Sequence, residues 1–141
     1  MVDISSKEPI RREAIAEGTI KLRKETIERV KKGDVEKGNP LQIANLAGIQ
    51  SAKLTPLIIT LCHPIQIENV SLEFSVEDDF VKVKAKVIAN SKTGVEMEAL
   101  SAVSIALLNL WDVLKMYEKD EDGQYPLTEI KSIRVVRKVK G

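Results

Sequence analysis

Polar and apolar positions change their period several times along this chain, and each change predicts an element. The first fifteen residues read as polar, after which EGTIKLRK alternates with Ile20 and Leu22 on one face, predicting a short strand. A charged helix is predicted from Thr26 to Lys32. Two Lys-Gly turns follow, KKGD and EKGN, and the second runs into Asn39-Pro40, a good N-cap with proline at the first helical position. The helix starting there carries Leu41, Ile43, Ala44, Leu46, Ala47 and Ile49 around more than one stripe. Ala44, Ala47, Gly48 and Ala52 are small enough for close approach, so this helix is predicted to be well buried.

After Pro56 the run LIITLCHPI ends with His63 between Cys62 and Pro64, where proline moves the preceding residue out of helical geometry and into a turn or strand entry. Val70, Leu72, Phe74 and Val76 alternate, the acidic turn EDD intervenes, and Val81, Val83, Ala85 and Val87 alternate with Lys82, Lys84 and Lys86. That pattern predicts an antiparallel hairpin with one wet face. An Ala- and Leu-rich segment from Val95 to about Tyr117 predicts the longest helix, and a last strand is expected around Ile130 to Val139. The order predicts an α+β fold, a ferredoxin-like βαββαβ antiparallel sheet with helices packed on one face, in a single domain over residues 1–141. Leu107, Leu108, Leu110, Trp111 and Leu114 make the long helix apolar nearly all round, more than one small sheet covers, so burial against another subunit is expected.

Composition narrows the function. With 43% hydrophobic and 30% charged residues and a formal net charge of +1, the chain is neither a disordered tail nor a polycation, and non-specific nucleic-acid binding is disfavoured. Aromatic residues are 4%, too few for base-stacking platforms, although FVKVKAKV superficially suits a basic RNA-binding strand. The lone Cys62 excludes an intrachain disulfide and, with one histidine, leaves no zinc ligand set within a chain. No membrane segment of roughly 18 apolar residues and no signal-peptide run are expected, which with the free thiol points to a cytoplasmic setting.

Four clusters could carry chemistry: Lys37 before a helix, His63 in LCHP, Lys92 with Glu96 and Glu98 in SKTGVEME, and Asp112 with Lys115 in WDVLK. Each has a plain alternative. Thr93 and Glu96 fit a capping box, a first-turn Glu98 suits the helix dipole, and Asp112 with Lys115 has the spacing of an ordinary surface ion pair. A single histidine beside proline is more often a structural hydrogen-bonder than a catalyst. Asp112 and Lys115 nonetheless interrupt an apolar surface, where charge is costly unless it faces a polar cavity. No GxxxxGK[ST] or GxGxxG motif is present, so nucleotide phosphates would have to meet lysine, arginine and helix N-termini. Glu96 and Asp112 are sixteen positions apart. On a continuous helix that is on the order of 24 Å, so a pocket using both ends needs a neighbouring subunit.

Taken together, LAGIQSAK, LCHP and above all SKTGVEMEALSAVS closely resemble the cyclic pyranopterin monophosphate synthase family, in the same order and with near-family spacing to Asp112 and Lys115. The resemblance covers almost the whole chain. It implies a ferredoxin-like subunit in a homo-hexamer, a trimer of dimers with active sites between subunits. It also implies a lyase of molybdenum cofactor biosynthesis whose substrate resembles GTP with a ribose carbon joined to the guanine imidazole carbon. By position Asp112, Lys115 and Lys37 look like the family's catalytic residues. His63, Cys62, Glu96, Met97 and Glu98 resemble its substrate pocket, and Lys53, Lys92, Arg12 and Lys138 would face phosphate or line that pocket. No tightly bound cofactor and no protein-held metal are implied, with Mg2+ possible on the substrate triphosphate.

The family's Lys-Gly-Asp-Val string occurs literally at Lys32 to Val35, but the interval to LAGI and LCHP selects Lys37, whose following residues are Gly38, Asn39 and Pro40. Asn39 thus stands where the family has aspartate. The chain ends at RVVRKVKG without the family's Gly/Lys-rich tail, and Lys138 and Lys140 are the available substitutes. The main competing reading is a non-catalytic nucleotide-binding ferredoxin-like module.

Overall fold

In the computed structural model, which describes residues 1–141, alternation begins earlier than the sequence pattern suggests. β1 spans Ile10–Lys21, beginning inside the segment expected to be polar and running on through the predicted strand. Its inward positions are Arg12, Ala14, Ala16, Gly18 and Ile20, so the buried side carries small residues and an arginine in place of large apolar ones. On the other face Glu13 and Glu17 take ion pairs from Lys86 (3.3 Å) and Lys82 (2.7 Å) of the neighbouring strand. Alternation of this kind is invisible to a search for large hydrophobic residues.

Helix α1 (Lys24–Lys32) and helix α2 (Pro40–Ile58) follow. Asn39 caps α2 as expected, accepting from the Gln42 N–H at 3.2 Å. Strands β2 (Asn69–Val76) and β3 (Phe80–Ser91) form the hairpin, helix α3 spans Glu96–Glu118, and β4 spans Glu129–Lys140. The sheet order is β2-β3-β1-β4 with every neighbouring pair antiparallel, the ferredoxin-like α+β arrangement that the element order predicts.

α3 lies across β1, β3 and β4, while α2 packs along α3 and reaches β2. Leu107, Leu110 and Leu114 are fully buried against Val81, Val83 and Val87 of β3 and the alanines of β1. Each such leucine contributes about 1.5–3 kcal/mol relative to exposure. α3 is, contrary to expectation, long and apolar enough to cross a membrane by length and composition alone. Here that apolar surface supplies the core beneath the sheet.

α2 also departs from expectation. It buries only a small-residue seam of Ala44, Gly48, Ser51, Ala52 and Thr55, leaving Leu46 64% and Leu57 79% exposed on its outer side. Small side chains let the helix backbone sit close to α3, so Leu46, Leu54, Leu57 and Ile58 are turned away from the fold while Leu41 still packs partly on the core. Ser51 and Thr55 satisfy their hydroxyls on the Ser101 and Ser51 carbonyls.

One buried carboxylate organises the far end of α3. Glu118 accepts from the Arg23 N–H, the Thr26 hydroxyl and the Thr128 hydroxyl (2.7 Å), tying the last turn of α3 to the start of α1 and the entry to β4.

Candidate active site

The candidate residues assemble at the two ends of α3. At the C-terminal end Asp112 and Lys115 lie one turn apart, and Lys115 Nζ reaches Asp112 Oδ1 at 3.0 Å. The loop between α1 and α2 brings in Lys37, whose ammonium donates to the Asp112 carbonyl at 2.9 Å and stands 3.5 Å from Asp112 Oδ2. The Lys115 hydrogen bond, followed by the charges of Lys37 and Lys115, holds the Asp112 carboxyl below its usual range. Asp112 in turn raises Lys115. The carboxylate between the two ammoniums therefore keeps the Lys115 proton in place, outweighing the mutual repulsion of two neighbouring cations.

Trp111 and Tyr125 meet edge to face with ring centroids 5.1 Å apart. They wall an open depression of about 400 Å³ that Asp112 and Lys115 also line. Tyr125 was not among the sequence candidates. A lone tyrosine in the turn DGQYP carries no local signal, and only the return of the chain toward β4 places it there.

At the N-terminal end the SKTG turn is fixed from below. The buried Arg12 guanidinium donates to the Ser91 carbonyl (3.3 Å) and the Lys92 carbonyl (3.2 Å), so within the chain Arg12 works as a strut for this turn. The capping box is not formed: Val95 occupies the N-cap position with no side-chain cap bond. Glu96 instead folds back over Gly94, where an added Cβ would lie 1.9 Å from Glu96 Oε2, and forms an ion pair with Lys138 of β4. Burial pushes the Glu96 carboxyl up, but the Lys138 bond, its own backbone amide and the charges of Lys138 and Arg12 carry it below its ordinary value.

Glu98 is 1% exposed, and its Oε1 has no hydrogen-bond partner. Its Oε2 accepts from the Cys62 thiol at 3.7 Å. Burial first, then the proximity of Glu96, raises the Glu98 carboxyl, and burial together with Glu98 raises the Cys62 thiol. His63 Nε2 lies 2.8 Å from the Val2 carbonyl. His63, Cys62, Glu96 and Met97 line one open depression of about 760 Å³, and Lys92 borders a smaller one beside His63. Lys53 stands exposed on α2 and makes no polar contact with either group.

Two half-sites result. One is a carboxylate held between ammoniums, suited to proton transfer and to phosphate; the other offers an uncharged-leaning buried acid beside a paired carboxylate, suited to N–H groups. They are separated by the length of α3 between Glu96 and Asp112, on the order of 24 Å. No three His, Cys, Asp or Glu side chains converge as a metal-ligand group.

A model of the MoaC family matches residues 1–141. The chain is 58% identical over 140 residues to a "Probable cyclic pyranopterin monophosphate synthase" of Sulfurisphaera tokodaii, covering 99% of this chain and 93% of that protein. A protein of the same description from Sulfolobus acidocaldarius is 56% identical over 140 residues, covering 99% and 98%. Another from Thermococcus kodakarensis is 51% identical over 141 residues, covering 100% and 90%.

Proposed function

The chain belongs to the MoaC family, and from that premise we propose that it converts a cyclic dihydro-GTP intermediate into cyclic pyranopterin monophosphate with release of pyrophosphate, in molybdenum cofactor biosynthesis. The observation that carries the reading is the family match over the full chain, combined with a carboxylate, Asp112, held between Lys37 and Lys115.

The reaction opens and recloses rings and forms a cyclic phosphate. In the phosphate step a substrate hydroxyl attacks the α-phosphorus, a new P–O bond forms, the bond to the bridging oxygen breaks, and pyrophosphate leaves while the hydroxyl proton is taken up by a base. Lys115, with its proton held tightly by Asp112, is the proton donor in the resting arrangement, and Asp112 fixes its position. Lys37 and Lys115 offset charge on the triphosphate. Glu98 and Glu96 suit the amino and ring N–H groups of the guanine-derived portion, with His63, Cys62 and Met97 forming the surrounding wall. Mg2+, where it takes part, accompanies the triphosphate as part of the substrate.

The working unit is a homo-oligomer, a hexamer built as a trimer of dimers, in which the C-terminal end of α3 in one subunit completes the N-terminal end in another. Support comes from the separation of the half-sites and from exposed apolar surface at Leu46, Leu57, Leu61 and Leu108. The free Cys62 and the nucleotide-derived substrate support a cytoplasmic setting.

Single-turnover conversion of the cyclised GTP intermediate by the purified protein tests the proposal. Pterin fluorescence after oxidation and pyrophosphate should appear together. Tight binding without either product would replace the synthase reading with a non-catalytic nucleotide-binding module.

A further inference from the structure

Lys37 rides on a loop outside the sheet and helices, whose one apolar anchor on the core is Val35. Residues 33–39 connect α1 to α2, and both of the loop's glycines adopt positive φ, Gly33 at 72° and Gly38 at 123°. Within the loop and its junction to α1 the backbone makes Asp34 N–H to Arg29 carbonyl (2.9 Å) and Gly38 N–H to Val35 carbonyl (3.2 Å). The Lys37 ion pair to Asp112 is 3.5 Å long and well exposed, with 37% and 62% of the side chains accessible. An exposed pair on a long, flexible stem does little to fix a loop.

A separate tie comes from α3 itself. The Tyr117 hydroxyl accepts the Glu36 backbone N–H at 2.9 Å, one residue before Lys37. The Arg29 guanidinium lies over the Tyr117 ring, 4.4 Å from its centroid, and pairs with Asp34 at 3.0 Å. α3 therefore grips the loop at consecutive residues: the Glu36 amide through Tyr117, and the Lys37 ammonium through Asp112, five residues earlier on the same helix.

We propose that Tyr117 is a positioning residue for the reaction: its hydroxyl fixes the Glu36 backbone and thereby sets where the Lys37 ammonium stands relative to Asp112. The inference rests on the reading that Lys37 belongs to the catalytic group. The phenol is uniquely placed for this, since it is the one side chain bonded to the loop's backbone from α3. A neutral hydrogen bond of this kind keeps its strength in salt, unlike the ion pair it supports.

The test is Tyr117→Phe in the assembled enzyme, which keeps the ring, its packing and the Arg29 contact. Hydrogen exchange of the segment 34–39 should accelerate about tenfold or more while the core strands keep their protection. kcat should fall roughly 10- to 100-fold with KM little changed, the effect of misplacing a reacting group. The double variant Tyr117→Phe/Lys37→Ala should be no slower than Lys37→Ala, because the hydroxyl acts through that lysine. Unchanged exchange in 34–39 would overturn the proposal, as would rate losses that multiply in the double variant. If exchange accelerates but Lys37→Ala turns over normally, the catalytic assignment of Lys37 falls, and the positioning role falls with it, leaving Tyr117 as a loop anchor alone. Tyr117→Leu, which removes ring and hydroxyl together, should lose melting temperature as well as rate, separating packing from positioning.

Discussion

The Cys62 thiol donates to Glu98 Oε2 across 3.7 Å, while the other oxygen of that buried carboxylate has no partner. Burial raises the Glu98 carboxyl above its ordinary 4.5. The folded state therefore holds this proton longer than the unfolded state. Stability is highest below the unfolded value, falls as pH rises from about 4.5 through the raised folded value, and stays reduced above it. Glu98→Gln should remove that loss. Its melting temperature relative to the parent should climb with pH across the window and then level off, and its Cys62 should alkylate faster with iodoacetamide because a negative neighbour is gone. Melting curves that track the parent at every pH would sink the argument.

Glu96 shows the opposite sign. Although burial opposes it, Lys138 carries this carboxyl below 4.5, so the stabilisation is present above the unfolded value and is lost as pH falls through the folded one. Lys138→Ala should cost about 0.2–1 kcal/mol near neutrality, at the low end because Lys138 is largely exposed, and nothing in strong acid. Urea unfolding of both proteins at neutral and acidic pH gives the comparison; an equal deficit at both would show that the loss is packing, not charge.

Asp112→Asn and Lys115→Ala alter exposed groups at the end of a helix whose core is elsewhere, so fold and melting temperature should be retained. Turnover should fall by about 10²–10⁴ if these groups move protons in the reaction. Single-turnover pterin formation measures this, and a near-normal rate in either variant would remove that residue from the mechanism.

Mixing tests whether the two half-sites meet between subunits. Lys115→Ala chains lack one end of α3 and Glu98→Gln chains the other, so each alone should be inactive. Co-assembled at equal amounts, about a quarter of the sites should draw an intact end from each kind of chain and recover activity. Hetero-oligomers that form but stay inactive would place each site within a single subunit.

Much of the architecture was legible because it depends on local periodicity. The Asn39-Pro40 start, the β2-β3 hairpin and the span of α3 follow from capping chemistry and from repeats of two and about 3.6 residues. β1 was shortened because its inward side is built of alanines and Arg12, which look polar or neutral until a helix is laid upon them. For α2 the sequence predicts a well-buried helix, because apolar residues over more than one stripe do not reveal which face a neighbour leaves open.

For the site, the sequence by itself determined the chemical types and their grouping: a carboxylate and lysine one helical turn apart, two carboxylates at a helix start, and a histidine held before proline. Tertiary structure decided the partners. Glu96 chose Lys138 over the cap because β4 ends beside it, Glu98 became a buried acid because its place on the inward side of α3 leaves it the Cys62 thiol as partner, and Asp112 acquired Lys37 and, through the same helix, the Tyr117 tie on its loop. These pairings span many residues of chain, and their electrostatics depend on distance and burial, quantities that periodicity along the chain does not carry.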